Sequence, residues 1–325
     1  MMKNPIAILF PGQGSQENNM GRDIAESSKE MMSLWEKAES ISKLPLRAVY
    51  WESNDTTLMS DTQYLQPALT VVNMSIWQQL SKHLVPGCVA GHSLGEFSAL
   101  AAAKVLSFES VLELVCLRGE LMSNLEPSEQ GAMIAILRLS QTEVECIVKD
   151  VSHNIQQSIT IANYNTPVQF VVSGTREAIE ATISFVKEKR GRAVLLPVSG
   201  AFHSPLMEKA SQKFSEKLSK MNWSTPLYPI YTNSTGTPFV DTKSIYDSIL
   251  NQMISPVHWI NVITNQWKDG TRQWIEVGPK GVLSRMVTPI LEEHISTIDN
   301  NISVHSIDSL KTLTCFTSNN SLTLT

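Results

Sequence analysis

The feature that most constrains the fold is a short apolar segment that runs into one serine between two glycines, Gly91-His92-Ser93-Leu94-Gly95. An alanine-rich helical pattern follows at once, from 94 to 104. A tight turn between a strand and a helix needs small neighbours, and it lifts the serine hydroxyl above the sheet edge. The alternative is a Gly/Ser-rich helix start without chemistry. The position between a strand and a helix favours a nucleophile elbow, with Ser93 as the nucleophile.

The composition predicts a large globular protein that does not bind nucleic acid. Of 325 residues, 42% are hydrophobic and 18% are charged, which is enough apolar material for a substantial core. The net charge is -5, and no stripe of Lys and Arg follows any segment. A mildly acidic enzyme can still bind a carboxylated or phosphorylated substrate through one local basic group.

The cysteines and the apolar runs indicate a cytoplasmic protein with no metal site and no membrane partner. The four cysteines are widely scattered and have no zinc-ligand spacing, and they fit a reducing compartment. The first apolar run, 6–10, is too short for a signal-peptide core. No run approaches the ~18 apolar residues that a membrane span needs.

Outside the middle of the chain, strand and helix patterns alternate, which predicts an α/β fold with a parallel sheet covered on both faces. Strands are predicted at 6–10, 228–232 and 274–277, and helices at 23–41, 67–84, 108–125 and 245–253. Pro67 suits the first turn of the second of these helices. We expect an α/β-hydrolase-like core built from 1–127 and 199–290. The Ser-, Thr- and Asn-rich segment 291–325 reads as a tail or linker.

The middle segment, 128–198, has a different pattern and predicts a small inserted domain. Strands are expected at 132–137, 158–162, 169–173 and 193–198, and helices at 142–151 and 176–189. A loop is expected at 163–167. The resulting order, βαββαβ, is that of the ferredoxin-like split unit.

A serine nucleophile needs a base, and the best-placed of the seven histidines is His203, in a Gly/Ser-containing loop after a strand. Parallel strands end at one edge of a sheet, so Ser93, Gln13 and His203 would meet there. A structural loop histidine is the alternative. Gln13 lies in a loop rich in N–H groups, which could also be an ordinary turn. We expect His92 to line the site. No nearby acid is evident, so a distant acid, a backbone carbonyl or an amide side chain must orient the base. Arg118, taken alone, reads as a surface charge.

With these residues in place, the chain from about 5 to 291 resembles the malonyl-CoA:acyl carrier protein transacylase family, most closely the free-standing acyltransferases that serve polyketide synthases. Eight segments in order carry the resemblance: Pro11-Gly12-Gln13-Gly14-Ser15-Gln16, Gln66-Pro67-Ala68-Leu69, Gly91-His92-Ser93-Leu94-Gly95-Glu96, Arg118-Gly119, Gly131-Ala132-Met133, Asn163-Tyr164-Asn165, Gly200-Ala201-Phe202-His203 and Glu276-Val277-Gly278-Pro279. One departure is Gly200, where malonyl-specific polyketide domains often carry a histidine.

The resemblance implies a role for each site residue. Ser93 would be the nucleophile and His203 its base, oriented by the main-chain carbonyl of Gln252. The backbone N–H groups of Gln13 and Leu94 would form the oxyanion hole. The substrate-binding set would be Arg118, His92, Gln66, Asn163, Asn165 and Phe202.

Within that set, Arg118 would grip the malonyl carboxylate, which replaces its interpretation as a surface charge. Asn163 and Asn165 would face the acyl or pantetheine end. Phe202 would crowd an α-methyl branch, which favours malonyl over methylmalonyl.

The implied reaction moves a malonyl group from malonyl-CoA to the phosphopantetheine thiol of an acyl carrier protein by a ping-pong route, with no permanently bound cofactor. We expect a monomer. Three alternatives stay open: a hydrolase that clears stalled acyl groups from carrier proteins, a non-catalytic carrier-protein docking module, and a general esterase.

Overall fold

The computed structural model describes residues 5–53, 55–126, 130–198, 200–292, 294 and 302–320. Its strands are β1 Ile6–Phe10, β2 Cys88–Gly91, β3 Ala132–Leu137, β4 Ile159–Thr166, β5 Gln169–Gly174, β6 Arg192–Leu195, β7 Ile230–Tyr231, β8 Pro238–Phe239, β9 Gln273–Val277 and β10 Ser303–Ile307. Its α-helices are α1 Arg22–Glu26, α2 Lys29–Ser42, α3 Thr56–Ser60, α4 Thr62–Leu80, α5 Gly95–Ala102, α6 Phe108–Ser123, α7 Gln141–Ile155, α8 Arg176–Glu188, α9 Glu208–Leu218, α10 Thr242–Leu250, α11 Trp259–Lys268, α12 Ser284–Leu291 and α13 Leu310–Asn320. A π-helix covers Ala48–Glu52, and short 3₁₀ turns cover Pro205–Met207 and Pro279–Gly281.

The main sheet has the strand order β10-β9-β1-β2-β7-β8. Its first five strands are parallel, and β8 pairs antiparallel with β7. Strand β1 is central, and its alternate residues enter two different cores: Ile8 and Phe10 one, Ala7 and Leu9 the other. Both faces are therefore covered, and the predicted α/β class is confirmed. Within the described ranges, no helix combines the length and the apolar character needed to cross a bilayer.

The second sheet has the order β4-β5-β3-β6, with antiparallel pairing throughout. Helices α7 and α8 pack against it around a core of its own. The expected loop at 163–167 is wrong over most of its length, because β4 continues to Thr166 through two register shifts against β5. These irregularities hide the strand, since they break its alternation of apolar and polar residues. The domain boundaries predicted at 127–128 and 199 lie outside the described residues.

The prediction of a tail from 291 onward is wrong for 302–320. Strand β10 pairs in parallel with the whole of β9, and α13 packs against α4 with Leu313 buried. The segment adds the edge strand of the main sheet, where polar side chains are tolerated on the exposed positions. This explains why Ser- and Thr-rich sequence gave no strand signal. The parts of the predicted tail at 293, 295–301 and 321–325 lie outside the described residues.

Three predicted helices begin or break elsewhere in the structure. The helix expected at 23–41 is two helices, because the Ser28 hydroxyl accepts the Met31 N–H and starts α2 afresh. Helix α4 begins at Thr62, where the Asp61 carboxylate accepts the Gln63 N–H, so Pro67 lies inside the helix rather than in its first turn. Helix α10 begins at Thr242, behind an Asp241 cap. In each case a capping side chain sets the start.

Candidate active site

Ser93 occupies a sharp turn between β2 and α5, with a backbone φ of 50°. A Cβ added at Gly91 would lie 2.0 Å from the carbonyl carbon of Gly95, and one added at Gly95 would lie 1.9 Å from the Phe10 carbonyl oxygen. Only glycine fits at either position, since the neighbouring atoms are backbone and cannot move aside. The two glycines therefore allow the turn, and the turn raises the Ser93 hydroxyl at the carboxyl edge of the sheet.

The structure brings Ser93 and His203 into hydrogen-bond contact, with Ser93 Oγ 2.7 Å from His203 Nε2. On the other side of the ring, Nδ1 lies 3.0 Å from the carbonyl oxygen of Gln252 and 3.1 Å from that of Ser255. Two carbonyl acceptors require a proton on Nδ1, so the Nε2 lone pair faces the serine hydroxyl. The histidine is thus oriented by main-chain oxygens where many serine enzymes use a carboxylate.

The surroundings of His203 keep its ring neutral. Burial, then the positive charge of Arg118 and then His92, lower the pKa of His203 to about 3. Only 4% of the residue is exposed. A neutral imidazole can accept the serine proton at physiological pH, so the arrangement is competent for general-base chemistry.

Arg118 is buried beside the Ser93 hydroxyl. Its Nη1 donates to Gln66 Oε1 at 3.0 Å and its Nη2 donates to Ser93 Oγ at 3.3 Å. Its Nε has no partner among the described residues, and only 2% of the residue is exposed. Burial lowers the pKa of Arg118 to about 10, opposed by the charge of Glu96, so the guanidinium remains a cation. A buried cation with unused donors is suited to an anionic ligand.

The helical pattern could have shown that Arg118 is buried. It continues the buried stripe of α6 that includes Val111, Leu114, Val115 and Met122, at the spacing of one helix face. A charged residue on an apolar helix face indicates a functional site. We interpreted Arg118, taken alone, as a surface charge because most arginines in proteins are exposed.

A cavity of about 250 Å³ opens at the Ser93 hydroxyl. Most of the predicted site residues line it, namely Gln13, His92, Ser93, Leu94, Arg118, Asn163, Asn165, Phe202 and His203. Gln66 and Gln252 stand behind this lining and contact it through hydrogen bonds. The ring of His92 is fixed by a 2.8 Å contact between Nε2 and Asn165 Oδ1 and by edge-on packing against Trp259. The structure therefore gathers the predicted residues at one place.

The two segments predicted to form an oxyanion hole lie against each other. A Cβ added at Gly12 would be 2.4 Å from the His92 carbonyl oxygen and 3.4 Å from the Leu94 nitrogen. Gln13 follows Gly12 at the end of β1, and Leu94 stands at the N-terminus of α5. The assignment of the two N–H groups to an oxyanion stays a prediction.

Sequence reasoning missed two residues that contact the elbow directly or through one neighbour. The Asn233 side chain accepts the Ser93 N–H at 2.6 Å and donates to the Gly91 carbonyl at 2.6 Å. Glu96 is fully buried and accepts the Asn233 N–H and the Gln252 side-chain amide. Asn233 follows a strand of the parallel sheet, which is the place to look for polar site residues, and Glu96 directly follows the elbow motif.

The cavity adjoins two wider openings. An outer groove of about 590 Å³ shares Gln13, Leu196, Val198 and Phe202 with it, and also carries Arg176. A second cleft of about 500 Å³ lies between the second sheet and α12 and shares Gln169, Val282 and Met286 with the cavity. This second cleft is lined by three exposed arginines, Arg138, Arg192 and Arg285. Among the residues that the structure describes, none of the three forms an ion pair with a carboxylate.

An α/β sheet that carries an elbow serine next to a histidine is typical of serine-dependent acyltransferases and hydrolases. The chain belongs to the acyl transferase domain family, whose model matches residues 8–311. The family membership expected from the sequence motifs is therefore confirmed.

Curated relatives match most of the chain. It is 33% identical over 287 residues to a malonyl CoA-acyl carrier protein transacylase of Bacillus subtilis, covering 88% of this chain and 90% of the relative. It is 35% identical over 292 residues to the polyketide biosynthesis malonyl CoA-acyl carrier protein transacylase PksC of the same organism. This match covers 89% of this chain and 98% of the relative.

Solved structures agree with these relatives. A malonyl-CoA:acyl carrier protein transacylase from Xanthomonas oryzae has a TM-score of 0.89 at 28% identity, covering 98% of this chain and 99% of that one. A malonyl-transacylase solved with its type II polyketide synthase acyl-carrier protein has a TM-score of 0.89 at 29% identity, covering 97% and 100%.

Proposed function

We infer that the protein is an acyl carrier protein S-malonyltransferase, which moves a malonyl group from malonyl-CoA to the phosphopantetheine thiol of an acyl carrier protein. The observation that carries this conclusion is the position of Arg118, a buried cation within 3.3 Å of the Ser93 hydroxyl. A malonyl thioester brings a free carboxylate to within a few atoms of the carbonyl that the serine attacks. The names of the relatives at 33% and 35% identity support the same substrate and the same carrier.

In the proposed first half-reaction, His203 Nε2 takes the Ser93 proton as Oγ attacks the thioester carbonyl. The N–H groups of Gln13 and Leu94 stabilise the tetrahedral oxyanion. The intermediate collapses, the carbon–sulfur bond breaks, and coenzyme A leaves as a thiol with the proton from His203. A malonyl ester of Ser93 remains.

The second half-reaction runs the same steps in reverse with a new thiol. His203 takes the proton of the phosphopantetheine thiol, the sulfur attacks the ester carbonyl, and the proton returns to Ser93 Oγ. Every proton moves through His203, so the chemistry uses side chains of this chain and needs no permanently bound cofactor.

Arg118 and Phe202 would set the acyl group. The planar guanidinium can bind a carboxylate through two parallel hydrogen bonds, and Gln66 holds it in place from behind. Phe202 lines the cavity on the side of the outer groove and would crowd an α-methyl branch. Both features favour malonyl over acetyl and methylmalonyl.

The arginine cleft supports a substrate that carries phosphate groups. Arg138, Arg192 and Arg285 line an opening that shares three residues with the cavity. Coenzyme A and the phosphopantetheine of a carrier protein both present phosphate, and arginine binds phosphate strongly. We propose that this cleft receives the phosphorylated end of the donor.

We further propose that residues 130–198 form a ferredoxin-like domain inserted into an α/β-hydrolase-like core. The chain order of strands and helices and the antiparallel sheet order β4-β5-β3-β6 support this division. Of the two relatives at similar identity, one is named for polyketide biosynthesis, and the polyketide setting is the one that the motifs favour. Cytoplasmic location and a monomeric state stay predictions.

Intact-mass spectrometry after incubation with malonyl-CoA tests the proposal. The parent protein should gain one malonyl group, and Ser93→Ala should gain none. The matched control is Ser98→Ala, a buried serine on α5 that should form the adduct normally. Addition of a carrier protein with its phosphopantetheine arm should discharge the adduct onto that protein.

The rival functions give different results in the same experiment. A carrier-protein hydrolase would lose the adduct to water at the same rate with and without the acceptor. A docking module would bind the carrier protein but form no adduct. The absence of an adduct on the parent protein would contradict the transferase.

A further inference from the structure

A carboxylate lies under the nucleophile elbow, out of reach of the cavity. Glu96 stands in the first turn of α5 and has no exposed surface. Its Oε1 accepts the Asn233 N–H at 2.9 Å, and its Oε2 accepts the Gln252 side-chain amide at 2.9 Å. Among the described residues, no Lys or Arg lies within ion-pair distance of it. Burial of a carboxylate without an ion pair is costly, so its presence at this place points to a role.

The two residues that Glu96 anchors, Asn233 through its backbone N–H and Gln252 through its side chain, hold both backbone polar groups of Ser93. The Asn233 side chain accepts the Ser93 N–H at 2.6 Å and donates to the Gly91 carbonyl at 2.6 Å. The Gln252 side-chain amide donates to the Ser93 carbonyl at 2.8 Å, and the main-chain carbonyl oxygen of Gln252 lies 3.0 Å from His203 Nδ1. One carboxylate therefore connects the residue that clamps the serine with the residue that orients the base.

The backbone of Ser93 needs this support. Its φ of 50° lies in the left-handed region, which a residue with a side chain occupies only when the surrounding contacts determine its conformation. We propose that Glu96 and Asn233 are positioning residues, which hold the Ser93 elbow and, through Gln252, His203 in the reactive geometry. The inference depends on the proposed function only in taking Ser93 as the nucleophile.

The hydrogen-bond pattern makes Glu96→Gln informative. Both Glu96 oxygens face donors, so a glutamine must turn its NH₂ group toward one of them and lose that bond. The Gln252 Oε1 has no partner among the described residues, so a Gln252 amide released by Glu96 is held only by the Ser93 carbonyl. Asn233→Ala removes both bonds to the elbow while keeping the Asn233 N–H bond to Glu96. The two substitutions therefore disrupt the same hydrogen-bond network, one at Glu96 and the other at the Asn233 contacts with the elbow.

The rate at which Ser93 becomes labelled tests the proposal. Malonyl-CoA is one reagent; a fluorophosphonate, whose phosphorus bonds to Oγ as fluoride leaves, is the other. Intact mass against time gives a rate constant and a final labelled fraction. Glu96→Gln and Asn233→Ala should each lower both rate constants by about 10-fold to 100-fold. The final labelled fraction should equal that of the parent, and KM for malonyl-CoA should stay within about twofold, because neither residue lines the cavity.

A purely structural role gives the opposite signature, with a smaller labelled fraction at the parent's rate constant, and would overturn the proposal. The control is Glu276→Gln, an equally buried carboxylate that accepts the Ser284 N–H at the start of α12 and should label at the parent's rate. If Glu96→Gln fails to fold, the labelling rate constants of Asn233→Ala test the proposal alone. If only the fluorophosphonate labels the parent, malonyl transfer fails and the phosphonate rates still decide this inference. If neither reagent labels the parent, both proposals fall.

Discussion

The Nη2 group of Arg118 lies 3.3 Å from the Ser93 hydroxyl oxygen, which His203 Nε2 also contacts at 2.7 Å. The cation favours the developing alkoxide, but it also lowers the pKa of His203 and so weakens the base. A substrate carboxylate that pairs with Arg118 would neutralise this charge, and His203 would then accept the serine proton more readily. Recognition of an anionic acyl group would thereby be coupled to activation of Ser93.

This coupling predicts that Arg118→Ala changes the acyl preference rather than abolishing the chemistry. Loss of the buried partner of the malonyl carboxylate should cost about 3 kcal/mol, or roughly 100-fold in kcat/KM for malonyl-CoA. Acetyl-CoA should be used relatively better, since its methyl group needs no cation. Competition between the two thioesters measures the ratio.

The control is Arg118→Lys, which keeps the charge but loses the planar fork and should fall between the parent and the alanine variant. Unchanged malonyl transfer by Arg118→Ala would contradict the role given to this arginine.

Phe202 should limit the size of the substituent on the α-carbon of the acyl group. The ring packs closely over Gly200, where an added Cβ would lie 2.4 Å from Phe202 Cε1. Phe202→Ala should raise the methylmalonyl-to-malonyl ratio of kcat/KM by about 10-fold or more, since a methyl group fitted or excluded is worth about 1–3 kcal/mol. Phe214→Leu, a core change outside the cavity lining, should lower stability and leave the ratio unchanged. Equal ratios in the parent and Phe202→Ala would show that another wall sets the limit.

The elbow could be predicted from sequence because all of its determinants are local. Gly91, Ser93 and Gly95 lie within five residues, between a strand and a helix that each give their own pattern. The hydrogen bonds that support the elbow could not be predicted from sequence, because they join distant parts of the chain. Glu96 bonds to the backbone of Asn233, 137 residues away, and to the side chain of Gln252, 156 residues away.

The C-terminal strand shows a second limit of prediction from sequence. The residues of β10 are mostly polar, and their strand conformation comes from pairing with β9 rather than from local preference.

Arg118 is an intermediate case. Its place on a buried helix face could be predicted from the helical pattern, but only the cavity explains why a charged residue lies there.

The close approach of backbones at the elbow predicts a strong effect of Gly95→Ala. The added Cβ would sit 1.9 Å from the Phe10 carbonyl oxygen, so β1 and α5 would have to separate. We expect a loss of about 3 kcal/mol or more in the free energy of unfolding, measured by urea denaturation. Gly270→Ala is the comparison, because its φ is 95° and nothing lies within 4 Å of the added Cβ. It should cost only about 1–2 kcal/mol, from backbone strain alone.

His203 should make the protein less stable in acid. Its pKa is lowered from 6.5 to about 3 in the folded state, so the unfolded chain binds the proton more tightly. The contribution to stability is therefore complete above pH 6.5 and is lost as the pH falls toward 3, by about 1.4 kcal/mol per pH unit. Urea denaturation of the parent and of His203→Gln between pH 7 and pH 4 isolates this contribution, because other groups cancel in the difference. A difference that does not change with pH would contradict a buried neutral ring.

The two openings of the cavity make different predictions for the phosphorylated part of the substrate. If the arginine cleft receives it, Arg192→Ala combined with Arg285→Ala should raise KM for malonyl-CoA severalfold, and added salt should shrink the effect. A malonyl thioester of N-acetylcysteamine carries no phosphate, so its KM should not change.

Arg176→Ala tests the other opening, since this residue lines the outer groove and not the cleft. A rise in KM for malonyl-CoA in Arg176→Ala alone would place the phosphates in the outer groove, against the proposal. A rise confined to the Arg192 and Arg285 variant would support entry past α12, between the second sheet and the core. The cleft shares Gln169, Val282 and Met286 with the cavity, so a donor with its phosphates at the arginines would have its thioester arm next to the cavity that Ser93 lines.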